Sequence, residues 1–143
     1  MKKIITGIIG CGKVGHLHAK ALSRLESSDF TAVCGTNQER TAAFAGQYGV
    51  AAYTDVEEMI EKSGLEAVTI CTPHPLHKNP AVKAAAAGVH VLIEKPLASS
   101  LEDCDAILSA AAESHVKVGT VCQRRFYEPV QRVKKAIENG RIG

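Results

Sequence analysis

Hydrophobic positions along the chain fall into short continuous runs, and the segments between them have the spacing of amphipathic helices. Continuous runs, unlike alternating ones, are typical of strands that are covered on both faces of a parallel sheet. The pattern predicts strands at residues 4–9, 30–34, 50–53, 67–71, 89–94 and 116–121. Because helical segments join successive strands, we predict a doubly wound, six-stranded parallel α/β sheet.

The helical segments carry their own start signals and buried faces. The second helix is expected to begin near Asn37, and the predicted N-terminal caps of the next three are Thr54 with Glu57, Asn79 before Pro80, and Ser99 with Glu102. Apolar stripes predict the inward faces: Val14, Leu17, Ala21, Leu22 and Leu25 in the first helix, and Leu101, Cys104, Ile107, Leu108 and Ala111 in the fifth. Each helix is therefore expected to pack one face on the sheet.

A glycine turn, within IITGIIGCGKVG at residues 4–15, joins the first strand to the first helix. Gly10, Gly12 and Gly15 have the G-x-G-x-x-G spacing, which allows a tight turn, close approach to a phosphate and close helix–strand packing. The free amides at the start of the helix attract a pyrophosphate. This context predicts a Rossmann fold that binds a nicotinamide dinucleotide; the alternative is a purely structural turn.

Right-handed crossovers place the first and fourth strands side by side, with a ligand crevice at their carboxyl ends. Three of the five cysteines, Cys11, Cys34 and Cys71, fall near strand ends. The cysteine count is odd and no two have the C-x-x-C spacing, so we predict small apolar fillers and no metal site. Free thiols also favour a reducing cytoplasm.

The end of the second strand decides which dinucleotide fits. An acidic side chain there binds the ribose 2′-hydroxyl of NAD and repels the 2′-phosphate of NADP. This chain has Gly35 at that point, followed by Thr36 and Asn37, with Arg40 one turn later. These residues predict NADP as the preferred cofactor and NAD as the alternative. A second interpretation is that Gly35 is only a turn residue and that another group binds the ribose.

Glu94-Lys95-Pro96 follows the fifth strand, beside the predicted crevice. The sheet would desolvate Lys95, and an oxidised nicotinamide ring would repel its charge. Both effects would make this lysine a usable proton acceptor or donor. Pro96 would fix the direction in which the chain leaves the strand. The alternative is an ordinary solvated lysine at a strand end.

Chain length and the distribution of charge limit which classes of function are possible. A chain of 143 residues is long enough for one domain with a core, and no apolar run is long enough to span a membrane. From Lys117 onward there are seven basic residues against two acids. We interpret this as a solvated helix face; an anionic partner surface is the alternative.

The pattern changes after the sixth predicted strand. The last 21 residues predict a loop and then a helix, with Pro129 in the first turn, Val130, Val133 and Ile137 on one face, and Gly140 at the end. An amphipathic helix beyond a finished sheet needs something to pack against. We therefore expect residues 1–121 to form the dinucleotide-binding domain and residues 122–143 to begin a second, α+β substrate domain that is missing here.

Together these motifs resemble the glucose–fructose oxidoreductase/inositol dehydrogenase (Gfo/Idh/MocA) family. The segments that carry the resemblance are GIIGCGKVGHLHAKAL, CTPHPLH, EKPLA after VHVLIE, and QRRFYEPVQRVKKAIENGRIG, and they span essentially the whole chain. The resemblance implies a two-domain NAD(P)-dependent oxidoreductase that acts by hydride transfer, mostly on sugars, cyclitols and their derivatives. It also implies a sugar or polyol as substrate and a homo-oligomer in the full-length protein.

The resemblance assigns roles to individual positions. Lys95 would be the catalytic lysine. The residues implied at the cofactor are Gly10, Cys11, Gly12, Lys13 and Val14 in the phosphate loop, Thr72, Pro73 and His77 beside the cofactor, Glu94 near the nicotinamide half, and Gln123 and Arg124 near nicotinamide and substrate. This chain departs from the family in two ways: the second strand lacks the acid common in NAD-dependent members, and the second domain's Asp and His lie beyond the sequence.

Other interpretations stay open. The chain could be a non-catalytic dinucleotide-binding module, such as a redox-sensing regulator with a basic tail on nucleic acid, although no helix-turn-helix pattern supports this. It could also be a truncation product, and the fragment alone is expected to be inactive. His18 is expected to be a packing residue of the first helix, and His77 could simply cap or pack.

Overall fold

The computed structural model describes residues 2–142 and is built on a six-stranded parallel sheet. The strands are β1 (Ile4–Ile9), β2 (Ser28–Cys34), β3 (Ala51–Tyr53), β4 (Ala67–Ile70), β5 (His90–Ile93) and β6 (Val118–Thr120). The helices are α1 (Lys13–Leu22), α2 (Gln38–Tyr48), α3 (Val56–Ser63), α4 (Lys78–Ala86), α5 (Leu101–Glu113) and α6 (Glu128–Glu138). All six predicted strands are confirmed, with no end shifted by more than two residues.

The strand order is β3-β2-β1-β4-β5-β6, and every neighbouring pair is parallel. The chain adds β2 and β3 on one side of β1 and then returns to start β4 on the other side. Ile9 at the end of β1 lies opposite Ile70 at the end of β4. The predicted switch point is therefore confirmed, and a crevice opens beyond these two strand ends.

Two apolar clusters cover the two faces of the sheet. Successive side chains of a strand point to opposite faces, and Ile8 and Ile9 of β1 accordingly belong to different clusters. Ile8 packs with Ala19 of α1 and Phe44 of α2. Ile9 belongs to the larger cluster, which also contains Ile107 of α5 and residues of α3 and α4. Burial on both faces explains why the strands are continuous apolar runs.

The predicted inward face of α1 is largely wrong, whereas that of α5 is confirmed at Cys104, Ile107 and Ala111 and wrong at Leu101 and Leu108. In α1 the buried residues are Gly15 and Ala19, while Leu17 is 60% exposed. In α5 Ile107 and Ala111 are buried, whereas Leu101 is 84% exposed. The other outward-facing members of the two stripes are Val14, Ala21, Leu25 and Leu108. In α1 small residues face the sheet because the helix approaches it closely, so a search for large apolar residues selects the wrong face of this helix.

None of the three predicted caps is the residue that caps its helix. The start of α2 near Asn37 is confirmed, and the side chain of Asn37 caps the helix by accepting from the amide of Arg40 at 2.8 Å. Asp55 caps α3 and Ser100 caps α5, each one residue after the predicted cap. Both segments contain two adjacent residues able to cap, and in each the second one has the extended backbone of an N-cap and accepts the hydrogen bond. Asn79 lies inside α4, which continues from a preceding 3-10 turn at His74–Leu76 without a side-chain cap.

The last helix buries none of its residues in the described part of the chain. A 3-10 turn at Gln123–Phe126 leads into α6, in which no residue is buried. Its apolar residues Val130, Val133 and Ile137 are 44%, 52% and 54% exposed. The predicted amphipathic helix is confirmed. Within residues 2–142, no helix has the length and apolar content needed to cross a membrane.

Candidate dinucleotide site

The turn between β1 and α1 requires glycine at two positions for steric reasons. Gly10 has φ 113°, and a Cβ there would lie 2.7 Å from the carbonyl carbon of Cys71. A Cβ on Gly15 would lie 2.2 Å from the carbonyl oxygen of Gly10. These contacts hold the start of α1 against the ends of β1 and β4, as the glycine spacing predicts.

Gly12 plays a different role, because a Cβ at this position would meet nothing within 4 Å. It is the N-cap of α1, and no side chain caps the helix. The first amides of α1 therefore point into open space at the positive end of the helix dipole. A pyrophosphate fits this arrangement, since it supplies the acceptors that the helix end lacks.

A cleft of about 690 Å³ runs along the carboxyl edge of β1, β2 and β4. It brings together eight of the residues predicted at the cofactor: Gly10, Cys11, Gly12, Gly35, Thr36, Arg40, Thr72 and Pro73. The remaining predicted residues do not line it; these are Lys13, Val14, Gly15, Asn37, His77, Glu94, Lys95, Gln123 and Arg124. The cleft thus covers the half of the site around the phosphate loop and the end of β2.

Three buried thiols form part of the cleft floor. Burial raises the pKa of Cys34 to about 11 and the pKa of Cys71 to about 12, and it also raises that of Cys11. These thiols are therefore neutral near pH 7 and act as small apolar fillers, as predicted. No cluster of metal-ligating side chains occurs among residues 2–142.

The end of β2 is shaped by close contacts. A Cβ on Gly35 would lie 2.6 Å from Thr41 Oγ1 and 2.7 Å from Cys11 Sγ, so the position requires glycine. Asn37 uses its Oδ1 to cap α2, which leaves only its amide nitrogen free to bind a ligand. Thr36 and Arg40 are exposed and line the cleft.

An ion pair that the sequence did not predict lies at the far side of the cleft. Lys78 of α4 and Asp103 of α5 lie 2.6 Å apart, and both line the cleft. The hydrogen bond lowers the pKa of Asp103 and raises that of Lys78. In the described part of the chain, Asp103 is the one acidic residue that lines the cleft, and its pairing reduces its repulsion of an anionic ligand. The two residues are far apart in sequence, so no local pattern could join them.

The turn after β5 carries Glu94 and Lys95. The sequence predicted a lysine desolvated by the sheet, but Lys95 is exposed, because β5 ends at Ile93 and the turn carries the next residues beyond the sheet edge. Glu94 is partly buried, and one of its oxygens accepts from the Lys95 amide at 3.2 Å. The other oxygen lies 2.9 Å from His18 Nε2. His18 is therefore more than the packing residue that was expected.

His77 lies behind the cleft and does not line it. The residue is 1% exposed, with Nε2 2.9 Å from the carbonyl oxygen of Thr72 and Nδ1 2.9 Å from that of Pro96. Both ring nitrogens are thus directed at backbone. The ring connects the turn after β4 to the turn after β5 and supports the cleft from inside. This position fits the packing alternative for His77 better than direct contact with a cofactor.

A doubly wound parallel sheet with an uncapped helix start at its switch point defines a dinucleotide-binding domain. Residues 4–121 match the oxidoreductase family described as having an NAD-binding Rossmann fold, Gfo/Idh/MocA. The match covers most of the chain, so the chain belongs to this family, as the motifs indicated.

Individual relatives agree with this assignment. The chain is 33% identical to the myo-inositol 2-dehydrogenase of Thermotoga maritima over 138 residues, which cover 96% of the chain and 41% of the relative. The structure matches the WlbA dehydrogenase of Bordetella pertussis, in complex with NADH and UDP-GlcNAcA, with TM-score 0.95 and 34% identity over 99% of the chain and 44% of that protein. It also matches the scyllo-inositol dehydrogenase of Lactobacillus casei, with bound NAD(H) and scyllo-inositol, with TM-score 0.91 and 26% identity over 99% and 43%. The chain therefore spans about two fifths of these relatives.

Proposed function

We propose that this chain is the cofactor-binding domain of an NAD(P)-dependent oxidoreductase that transfers a hydride to or from a sugar, a cyclitol or a related hydroxyl compound. The observation that carries the proposal is the uncapped start of α1 beside the open space over Gly12, at the switch point of the sheet. The three relatives support the substrate class, since their names specify inositols and a sugar nucleotide.

The residues of this chain would perform binding and proton transfer. The first amides of α1 bind the pyrophosphate, and the cleft beyond Gly35 takes the adenosine ribose. The bound nicotinamide ring supplies the position that accepts or releases a hydride. During oxidation Lys95 Nζ takes the hydroxyl proton of the substrate, and during reduction it returns the proton to the carbonyl oxygen. Exposure of Lys95 leaves its side chain free to reach a substrate.

For the cofactor, we propose a preference for NADP, with NAD as the alternative. An exposed Arg40 and Thr36 at the end of β2 can bind a 2′-phosphate, and Gly35 stands where an acid would repel it. The complexes named for two relatives contain NADH or NAD(H), which favours the alternative. Dissociation constants for NADPH and NADH decide between them, and tighter binding of NADH would overturn the preference.

Further proposals concern the setting of the reaction. We expect residues 1–143 alone to bind dinucleotide weakly and to be inactive, with residues 122–143 beginning the substrate domain. We also propose a homo-oligomer in the full-length protein and, from five free thiols, a reducing cytoplasm. We propose a sugar or polyol as the small-molecule substrate, and we propose no binding to nucleic acid or to a membrane.

The test uses the full-length gene product. It is mixed with NADP⁺ or NAD⁺ and with myo-inositol, scyllo-inositol or UDP-GlcNAcA, and the absorbance of the reduced nicotinamide is followed. We expect reduction with at least one compound of this kind. Failure to bind either dinucleotide would overturn the proposal, and tight binding without turnover on a broad panel of sugars and polyols would favour the non-catalytic module.

A further inference from the structure

A histidine of the phosphate-loop helix contacts the turn that carries Lys95. His18, in the second turn of α1, places Nε2 2.9 Å from Oε1 of Glu94. The two side chains are only 15% and 16% exposed. Because water has little access, each group depends on the other for its hydrogen bond more than a surface pair does.

Glu94 transmits this contact to the next residue. Its second oxygen, Oε2, accepts from the backbone amide of Lys95 at 3.2 Å. The carboxylate is thus held by a side chain of α1 and in turn holds the backbone of Lys95. Any rotation of Glu94 away from His18 would also change the contact that fixes the start of the Lys95 turn.

The sheet itself provides no direct connection between these two parts of the site. β1, which leads into α1, pairs with β2 and β4, whereas β5 pairs with β4 and β6. The His18–Glu94 contact therefore passes over the end of β4. Cys71, the residue after β4, also lies close enough to Glu94 to be affected by its charge. Burial raises the pKa of the Cys71 thiol, and the charge of Glu94 raises it further.

We propose that His18 is a positioning residue, which holds Glu94 and thereby sets Lys95 at a fixed place relative to the phosphate loop. The inference rests on the proposed function of Lys95. One side-chain contact then connects α1, which binds the dinucleotide, to Lys95, which transfers the proton. The proton-transfer group therefore lies at a fixed position relative to the bound cofactor. Misplacing a reacting group by about 1 Å can cost about a hundredfold in rate.

The test separates the hydrogen bond of His18 from its bulk. His18→Phe keeps a ring without a donor, and His18→Gln keeps a donor near the position of Nε2 without a ring. The matched control is His16→Phe on the same helix, where the ring packs on Phe44 and Nδ1 lies 2.9 Å from the hydroxyl of Tyr48. In the full-length protein we expect His18→Phe to lower kcat about 10- to 100-fold, with the dinucleotide Kd unchanged, and His18→Gln and His16→Phe to stay near wild type.

Three kinetic results would overturn the inference. One is a His18→Phe enzyme with wild-type kcat. Another is equal loss in His18→Phe and His16→Phe together with equal loss of thermal stability, which would show a packing role. A loss of kcat in His18→Phe that His18→Gln does not restore would likewise contradict a role for the hydrogen bond.

A second measurement does not depend on turnover. The amide resonance of Lys95 reports its hydrogen bond to Glu94, so His18→Phe and Glu94→Gln should both shift it, and His16→Phe should not. An unmoved resonance in His18→Phe would overturn the inference even in an active enzyme. A shifted resonance in a protein that oxidises no sugar or polyol would keep the positioning role and reject the proposed function instead.

Discussion

A side-chain carbon at position 15 would lie 2.2 Å from the carbonyl oxygen of Gly10. This distance ties the first turn of α1 to the end of β1 with no room for a methyl group. The backbone of the phosphate loop is therefore held by packing from below, while its upper surface at Gly12 stays open to a ligand.

Gly15→Ala should destabilise the domain. The methyl group would overlap with backbone that cannot yield without moving α1, and overpacking of this kind costs about 1–3 kcal/mol. Denaturant unfolding measures the loss. Gly46→Ala in α2 is the control, because a Cβ there meets nothing within 4 Å, and alanine should raise the free energy of unfolding by up to about 1 kcal/mol. Equal unfolding midpoints for Gly15→Ala and wild type would contradict the contact.

Gly12→Ala should have the opposite pattern. Gly12 has an extended backbone, φ −88° and ψ −174°, which alanine adopts without strain, and its Cβ would project into open space. We expect little change in the free energy of unfolding. Dinucleotide binding should weaken about tenfold, because the methyl group would push the charged pyrophosphate away from the amides that it accepts from. Calorimetric titration with NADPH and NADH measures the affinity. Unchanged affinity for both would place the pyrophosphate elsewhere.

Lys95→Ala in the full-length protein should lower turnover without weakening dinucleotide binding. Loss of a positioned proton-transfer group costs about a hundredfold or more in rate, and Lys95 does not line the cleft around the phosphate loop. Steady-state kcat tests the effect on turnover, and an independent NADPH titration tests the effect on dinucleotide binding. A variant with wild-type kcat would refute the role of Lys95, and an equal loss of affinity would make it a binding residue.

The sequence predicted the backbone of this domain better than its side-chain contacts. Strand positions follow from burial on both faces, and the glycines of the loop follow from steric needs that are local in sequence. The sequence did not predict the buried face of α1. Gly15 and Ala19 face the sheet because their small size lets the helix approach it closely, and not because they are strongly hydrophobic. Counting large apolar residues selected Leu17 instead, which points to solvent.

The missed contacts at the site are long-range. His18 and Glu94 are 76 positions apart, and their contact joins the helix after β1 to the turn after β5. No periodicity contains that information. Lys95 shows the reverse case: the sequence identified the residue but predicted the wrong environment, because the strand pattern does not say how the turn after β5 directs the side chains that it carries.

Arg40→Ala should weaken NADPH binding and leave NADH binding nearly unchanged. The guanidinium is exposed at the cleft and would pair with the 2′-phosphate, which NADH lacks. Loss of a charged hydrogen bond of this kind costs about tenfold or more in Kd. The cap of α2 survives, because it uses only the backbone amide of Arg40. Arg24→Ala, outside the cleft, is the charge-matched control, and an equal effect on both dinucleotides would remove Arg40 from the 2′-phosphate site.

The buried thiols should make the domain less stable in alkali. An unfolded thiol ionises near its ordinary pKa of 9.0, while burial raises the pKa of Cys71 to about 12 and of Cys34 to about 11. Above about pH 9 the unfolded chain sheds protons that the folded chain keeps, so stability falls as pH rises, with a limiting slope of about 1.4 kcal/mol per pH unit for each thiol. Denaturant unfolding between about pH 8 and about pH 9.5 measures the slope, because unfolded lysines, with a pKa of about 10.4, stay mostly protonated there. The Cys34→Ala/Cys71→Ala double variant should flatten it, and an unchanged slope would contradict the raised pKa values.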